Sequence, residues 1–226
     1  MQEVITINGI CYIFAACKEN TEKINISLSK NDIVIAADGG YDILKEKNLI
    51  PDIVIGDFDS LVGNLTHENV IRHPVEKDET DTFLAVKLAF NKGYKNFLIF
   101  GGVGGRIDHT IANIQTLLWV AKRGGRAFLI GNDTVITTIF NKKLAFSADF
   151  KGKISVFAQG GIASGVKISG FKYCAEEIVL NPEFSLGVSN EFVGERAEIS
   201  VKDGALLIAW EEKLESFLDE IEDYLI

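Results

Sequence analysis

Residues 54–63 read VIGDFDSLVG, which sets Asp57 and Asp59 two positions apart, directly after an apolar run and a glycine. In extended backbone, residues i and i+2 point to the same side, roughly 6.5 Å apart. Carboxylates placed this way repel each other unless a cation lies between them. Mg2+ takes oxygen ligands and favours one or two carboxylates together with substrate phosphates. The pattern points to a hard divalent cation and a phosphorylated substrate. The other reading is a turn in which both aspartates bond nearby backbone amides.

Three more clusters share this character: ADGG (37–40), EKDETD (76–81) and GGVGGRIDH (101–109). In EKDETD, Asp78 and Asp81 are three apart and fall on one face of a helix's first turn. Asp and Thr80 are also ordinary helix caps and dipole partners. GGVGGRIDH has four glycines ahead of a helix-like stretch. Glycine lets backbone amides approach phosphate closely, and a helix N-terminus favours anions. Arg106 can grip a phosphate oxygen; alternatively it pairs with Asp108 at the surface. The segment is neither a Walker A loop nor a complete GxGxxG. Of His67, His73 and His109, only His109 lies in a motif. Aspartyl-nucleophile phosphatases also carry Asp-x-Asp after a strand, but their lysine and late acidic pair are not found here.

Each cluster follows a run that reads as a buried strand: DIVIAA (32–37), DIVIG (52–56), NFLIFG (96–101), with RAFLIG (126–131) beyond them. ICYIFAAC near the N-terminus reads as a first buried strand. Continuous apolar strands are expected where both faces of a sheet are covered. Phe83, Leu84, Leu88 and Phe90, and then Ile111, Ile114, Leu118 and Ala121, fall near helical spacing between them. Strand–helix alternation implies a parallel sheet with crossover helices, and ligands of such sheets bind at the C-terminal strand ends.

From about residue 143 the pattern changes. KISVFA, GVKISGF, AEISV and ALLIAW are short and partly alternating, separated by turn signals such as Gly160-Gly161. Asp203-Gly204 between two apolar runs reads as a hairpin. In the acidic tail, Leu214, Phe217, Leu218, Ile221 and Leu225 form one apolar stripe, as in a helix docked on its own subunit. The fold class is therefore α/β. An N-terminal parallel-sheet nucleotide-binding domain (1–142) precedes a smaller all-β sandwich domain with a C-terminal helix (143–226).

The chain has 226 residues, 47% hydrophobic and 24% charged, with a formal net charge of −9. An acidic surface repels phosphate backbones, which argues against nucleic-acid partners. No apolar run approaches the roughly 18 residues of a membrane span. The N-terminus lacks the basic start of a signal peptide. Cys11, Cys17 and Cys174 are an odd set without metal-ligand spacing, which reads as reduced thiols in the cytoplasm.

With the clusters in this order, the sequence resembles the thiamine pyrophosphokinases. The match is carried by Asp38-Gly39-Gly40, Pro51-Asp52, Gly56-Asp57-Phe58-Asp59-Ser60, Asp78-x-Thr80-Asp81 and Gly105-Arg106-x-Asp108-His109. Gly170-Phe171-Lys172-Tyr173 and Val188-Ser189-Asn190-Glu191 extend it into the β half, so it covers roughly residues 32–208. The resemblance implies transfer of the β,γ-pyrophosphate of ATP to the hydroxyl of thiamine, by a homodimer that uses Mg2+. Carried over by position, Asp57, Asp59 and Asp81 would hold Mg2+ and polyphosphate. Asp38, Gly39, Gly40, Asp78, Thr80, Gly104, Gly105, Arg106, Asp108 and His109 would line the ATP site. Lys77, where some members have glutamine, would contact phosphate. Ser189 and Asn190 would lie near thiamine, with Trp210 or Phe192 covering its rings. Cys174 replaces a frequent proline. The competing readings are a nucleotide-binding regulator without catalysis and a Mg2+-dependent phosphohydrolase.

Overall fold

The computed structural model describes residues 7–19, 21, 24–58, 67–74, 78–219 and 224. Asp59, Ser60, Lys77, Ile221 and Leu225 lie outside the described residues. The chain divides into two compact units, Met1–Thr116 with Ala127–Asn132, and Leu117–Arg126 with Asp133–Ile226.

In the first unit, strands β1 (Ile7–Phe14), β2 (Ile33–Ala37), β3 (Ile53–Gly56), β4 (Val70–Arg72), β5 (Tyr94–Phe100) and β6 (Arg126–Gly131) lie in the order β4-β3-β2-β1-β5-β6. The β1–β2, β2–β3, β3–β4 and β1–β5 pairings are all parallel. The apolar runs are buried along their length, from Ile35 and Val54 to Phe97 and Leu129. Helix α1 (Gly40–Glu46) follows β2 and α2 (Asp81–Asn91) follows β4. Helix α2 packs on β1, β2, β3 and β5 and buries Ala85, Val86 and Ala89. Helix α3 (Ile107–Ala121) follows β5. The chain runs outward from β1 through β2, β3 and β4, then returns to place β5 on the other side of β1. That reversal makes β1/β5 the topological switch point, where open α/β sheets bind ligands.

The second unit is built from β7 (Thr134–Phe140), β8 (Lys143–Phe146), β9 (Lys153–Ser169), β10 (Ala175–Leu180), β11 (Gly187–Glu191), β12 (Ala197–Ser200) and β13 (Asp203–Glu211). Strand β7 pairs along its length with β13, and Asp133–Ile226 together with Leu117–Arg126 make up this unit. KISVFA and GVKISGF are not two strands with a turn between them. They are halves of β9, which runs through Gly160-Gly161. The first half pairs with β13 and β11, the second with β10 and β12. Glycines at φ 69° and 147° let one strand bend enough to serve two sheets without breaking.

Asp203-Gly204 is likewise not a hairpin. Strands β12 and β13 both pair with β9 instead of with each other. Gly204 is clasped by Asn141, whose Oδ1 accepts from Gly204 N–H at 2.8 Å. The unit's core is aromatic: Phe146 meets Phe150, Phe171, Phe192, Trp210 and Tyr224 edge-on. Trp210 is 1% exposed and belongs to this core, which corrects its expected place over a thiamine ring. Helix α4 (Leu214–Asp219) sends Phe217 into the same cluster.

Candidate active site

A cleft of about 410 Å3 opens at the switch point of the first unit. Its walls come from four chain segments. Ala15, Ala16 and Cys17 continue β1, and Ala37 and Asp38 end β2. Asp81 and Thr82 open α2, and Gly101, Gly102, Gly104, Gly105 and Arg106 lead from β5 into α3, which adds His109 and Asn113.

Local geometry explains these positions. Asp38 sits at φ 48°, in the left-handed region that Asp tolerates better than most residues. Its N–H donates to Ile55 O at 2.8 Å, and its carbonyl accepts from Tyr41 N–H at 3.1 Å. The backbone there is bent sharply between β2 and α1, and bends of this kind gather at functional sites. Gly40 is buried, with the Phe14 carbonyl occupying the place a Cβ would need, so its role here is close packing of α1 on β1.

Gly101 is at φ 64°, and a Cβ there would lie 2.6 Å from Ala15 O and 2.7 Å from Cys17 O. Cys17 N–H donates to Gly101 O at 3.0 Å, which ties the exits of β1 and β5 together. Beyond it, Asn113 Nδ2 donates to Gly102 O at 2.8 Å, and Thr110 Oγ1 donates to Gly104 O at 3.5 Å. Helix α3 thus holds two carbonyls of the glycine loop, and Gly104 and Gly105 turn at positive φ behind them.

Arg106 and Asp108 form a two-pronged pair: Nε donates to Oδ1 at 3.2 Å and Nη2 to Oδ2 at 2.6 Å. Asp108 Oδ1 also accepts from His109 N–H at 3.0 Å, capping the start of α3. Hydrogen bonding to Asp108 pushes the Arg106 pKa up, and the same bond holds the Asp108 carboxyl below its ordinary value. The pair is exposed, so it contributes little to stability. Its effect is orientation, because the Arg106 guanidinium keeps further N–H donors for an anion at the cleft mouth.

Of the site residues read from sequence, the fold brings Asp38, Asp81, Gly104, Gly105, Arg106 and His109 into one cleft. Gly39, Gly40, Asp57, Asp78, Thr80 and Asp108 are not part of its wall. Asp57 follows directly on β3, half-buried, and Asp78 is exposed. The Thr80 hydroxyl caps α2, accepting from Phe83 N–H at 3.3 Å. Sequence pattern missed Ala15, Ala16 and Cys17, which carry no polar signal. It also missed Asn113, whose spacing of four from His109 on one helix face was a usable one.

In the second unit, Ser189 is at φ 59° and its N–H donates to Ser155 Oγ at 3.1 Å. The Asn190 side chain latches the neighbouring turn: Oδ1 accepts from Tyr173 N–H at 3.0 Å and Nδ2 donates to Tyr173 O at 2.7 Å. Cys174 Sγ donates to Phe171 O at 3.2 Å within that turn.

Residues 24–129 match the family model for the thiamin pyrophosphokinase catalytic domain, and residues 137–206 match that for the thiamin pyrophosphokinase vitamin B1 binding domain. Thiamine pyrophosphokinase of Bacillus subtilis (strain 168) is 29% identical over 181 residues, 77% of this chain and 85% of the relative. Thiamin pyrophosphokinase 1 of Caenorhabditis elegans is 24% identical over 190 residues, 77% of this chain and 76% of the relative. A crystal structure of thiamine pyrophosphokinase from Bacillus subtilis matches with a TM-score of 0.76 at 25% identity, covering 91% of this chain and 100% of that one. Two models of one family, matched in consecutive order to the two halves of the sequence, place the chain in the thiamine pyrophosphokinase family.

Proposed function

We propose that this chain transfers the pyrophosphate of ATP to the hydroxyl of thiamine, giving thiamine diphosphate and AMP. The observation that carries the reading is the cleft at the β1/β5 switch point, where Asp38, Asp81, the glycine loop and Arg106 meet. In the reaction, the thiamine hydroxyl oxygen bonds to the β-phosphorus while the bond from that phosphorus to the α–β bridging oxygen breaks. AMP leaves with that oxygen, and the hydroxyl proton is released to water. Such transfers depend on positioning and on neutralising charge at phosphate oxygens. Arg106, held by Asp108, would grip a phosphate oxygen at the mouth. The N-termini of α2 and α3 both favour anions there.

Asp57 at the end of β3 and Asp81 at the start of α2 share one edge of the sheet, and both offer hard oxygen donors. Among the described residues, no three His, Cys, Asp or Glu side chains converge to hold a metal by themselves. A Mg2+ shared with substrate phosphates needs only one or two carboxylates, so the residues fit. Asp57 and Asp81, with Asp59, would hold it, and when bound it would offset the negative charge of the polyphosphate. The three free cysteines suit a reducing cytoplasm. Among the described residues, no helix is long and apolar enough to cross a membrane.

Incubation with ATP, Mg2+ and thiamine tests the reading. AMP formed only when thiamine is present supports transfer. Phosphate release without thiamine would indicate a phosphohydrolase, and binding without turnover a regulator. Arg106→Lys keeps the charge but loses the planar fork, and is expected to lower kcat/KM at least about tenfold. A lysine variant equal to wild type across ATP concentrations would reduce Arg106 to a point charge.

The acceptor end falls to the second unit, a β-sandwich in this reading, and to a homodimer. Val179, Phe184, Leu186 and Val188 are exposed along one stretch that ends at Ser189. Exposed apolar runs of this kind suit a subunit interface. Asn190 is occupied by the Tyr173 turn, which leaves the Ser189 hydroxyl as the polar group toward thiamine. Ser189→Ala is expected to raise the thiamine KM at least about fivefold with the ATP KM near wild type, roughly the worth of one hydrogen bond. Sedimentation should show a dimer at assay concentrations. A fully active monomer would sink the interface.

A further inference from the structure

Asn113 is the deepest polar side chain of the cleft wall, only 3% exposed. A carbonyl oxygen can only accept, so Gly102 O fixes the amide with Nδ2 toward the loop and Oδ1 turned away. Among the described residues, Oδ1 accepts no hydrogen bond from the protein. It is not one of the side-chain atoms sealed from solvent without a partner, so it opens to the cleft, where a ligand or water can donate to it. Oδ1 is therefore the polar atom that Asn113 has left to present to the cleft.

The chemistry restricts what it can meet. A phosphate oxygen offers no proton at neutral pH, so the partner must carry an N–H or O–H. Position restricts it further. Arg106 directly precedes α3, and His109 and Asn113 lie three and seven positions further on along one face; seven residues of helix span about 10 Å. Arg106 sits at the mouth with its side chain 72% exposed, where the acceptor substrate must arrive. Asn113 sits at the closed end, beside Gly102 and the apolar side chains of Ile99 and Leu129, with Ala15 and Ala37 in the same wall. Small apolar walls around one acceptor suit a sugar or base better than a polyphosphate.

We infer that Asn113 Oδ1 accepts a hydrogen bond from the nucleoside part of ATP, and that Asn113 sets which nucleotides the enzyme takes. This rests on the ATP-dependent reading above. The donor is either a ribose hydroxyl or the exocyclic amine of adenine, and the site disfavours analogues that lack it because the bound ligand then covers Oδ1 without donating to it.

Calorimetric titration without thiamine separates these sources, using the full chain with Mg2+. The titrants are ATP, 2′-deoxy-ATP, 3′-deoxy-ATP and inosine triphosphate, whose base carries a carbonyl in place of the amine. Wild type is expected to bind one of the three analogues at least tenfold more weakly than ATP. Asn113→Ala also releases Gly102 O and weakens all four. The ratio of ATP to the discriminated analogue cancels that general loss and is expected to fall to within about twofold of unity. Wild type binding all four alike would overturn the inference without any variant, so it stays testable if Asn113→Ala does not fold. An unchanged ratio in a folded Asn113→Ala would overturn it as well. Thiamine-dependent AMP formation with no discrimination sinks this inference alone, whereas absence of thiamine-dependent AMP sinks the reading beneath it.

Discussion

Asp57→Asn is expected to leave the protein folded and to cut Mg2+-dependent transfer by about 10³-fold or more. Asparagine has the same shape as aspartate, and Asp57 is half-buried at the end of β3, where the strand's own apolar residues hold the sheet together. What changes is one negative charge and one hard oxygen ligand. A carboxylate that fixes a metal against transferring phosphates supplies several kcal/mol of transition-state stabilisation, and each ~1.4 kcal/mol is tenfold in rate. The measurement is AMP formed per enzyme under saturating ATP and thiamine, with the urea midpoint recorded beside it. Wild-type-like turnover would remove the metal role from Asp57. A large drop in the midpoint would instead mark the residue as structural.

Gly101→Ala is expected to destabilise the first unit by about 2–5 kcal/mol, a large share of the ~5–15 kcal/mol that holds a typical domain together. Two costs add. An alanine held in the left-handed region loses roughly 1–2 kcal/mol, and crowding two backbone carbonyls costs roughly 1–3 kcal/mol more. Those carbonyls, Ala15 O and Cys17 O, belong to the exit of β1, so neither can swing aside like the end of a side chain. Gly105→Ala isolates the first cost within the same unit, because Gly105 is at φ 57° and a Cβ there meets only Cys17 Sγ, at an ordinary 3.5 Å. Urea midpoints at constant slope should therefore separate the two variants clearly. Equal losses would mean that the β1–β5 contact yields without strain.

Much of this protein is legible in its sequence because much of it is local. The runs that became β2, β3, β5 and β6 are continuously apolar, and burial on both faces of a sheet demands that wherever the strand ends up. The starts of α2 and α3 are marked by Thr80 and Asp108, which bond backbone N–H groups within three residues of themselves. The placing of acidic and glycine clusters at strand exits follows from the same alternation.

Strand order is another matter, since it is a choice among long-range pairings that no local pattern encodes. Only the fold sets β1 between β2 and β5, and with it Ala15, Ala16 and Cys17 in the wall of the cleft. Glycine is ambiguous for a similar reason. Its freedom serves a turn or a bend equally well, so Gly160-Gly161 continues β9 between two sheets because partners on both sides hold it there. Trp210 carries the chemistry of a binding residue, and the aromatic side chains packed around it make it core. Asn113 shows the converse: an ordinary polar residue in a helix becomes a candidate ligand contact only when Gly102 takes one end of its amide and the cleft the other.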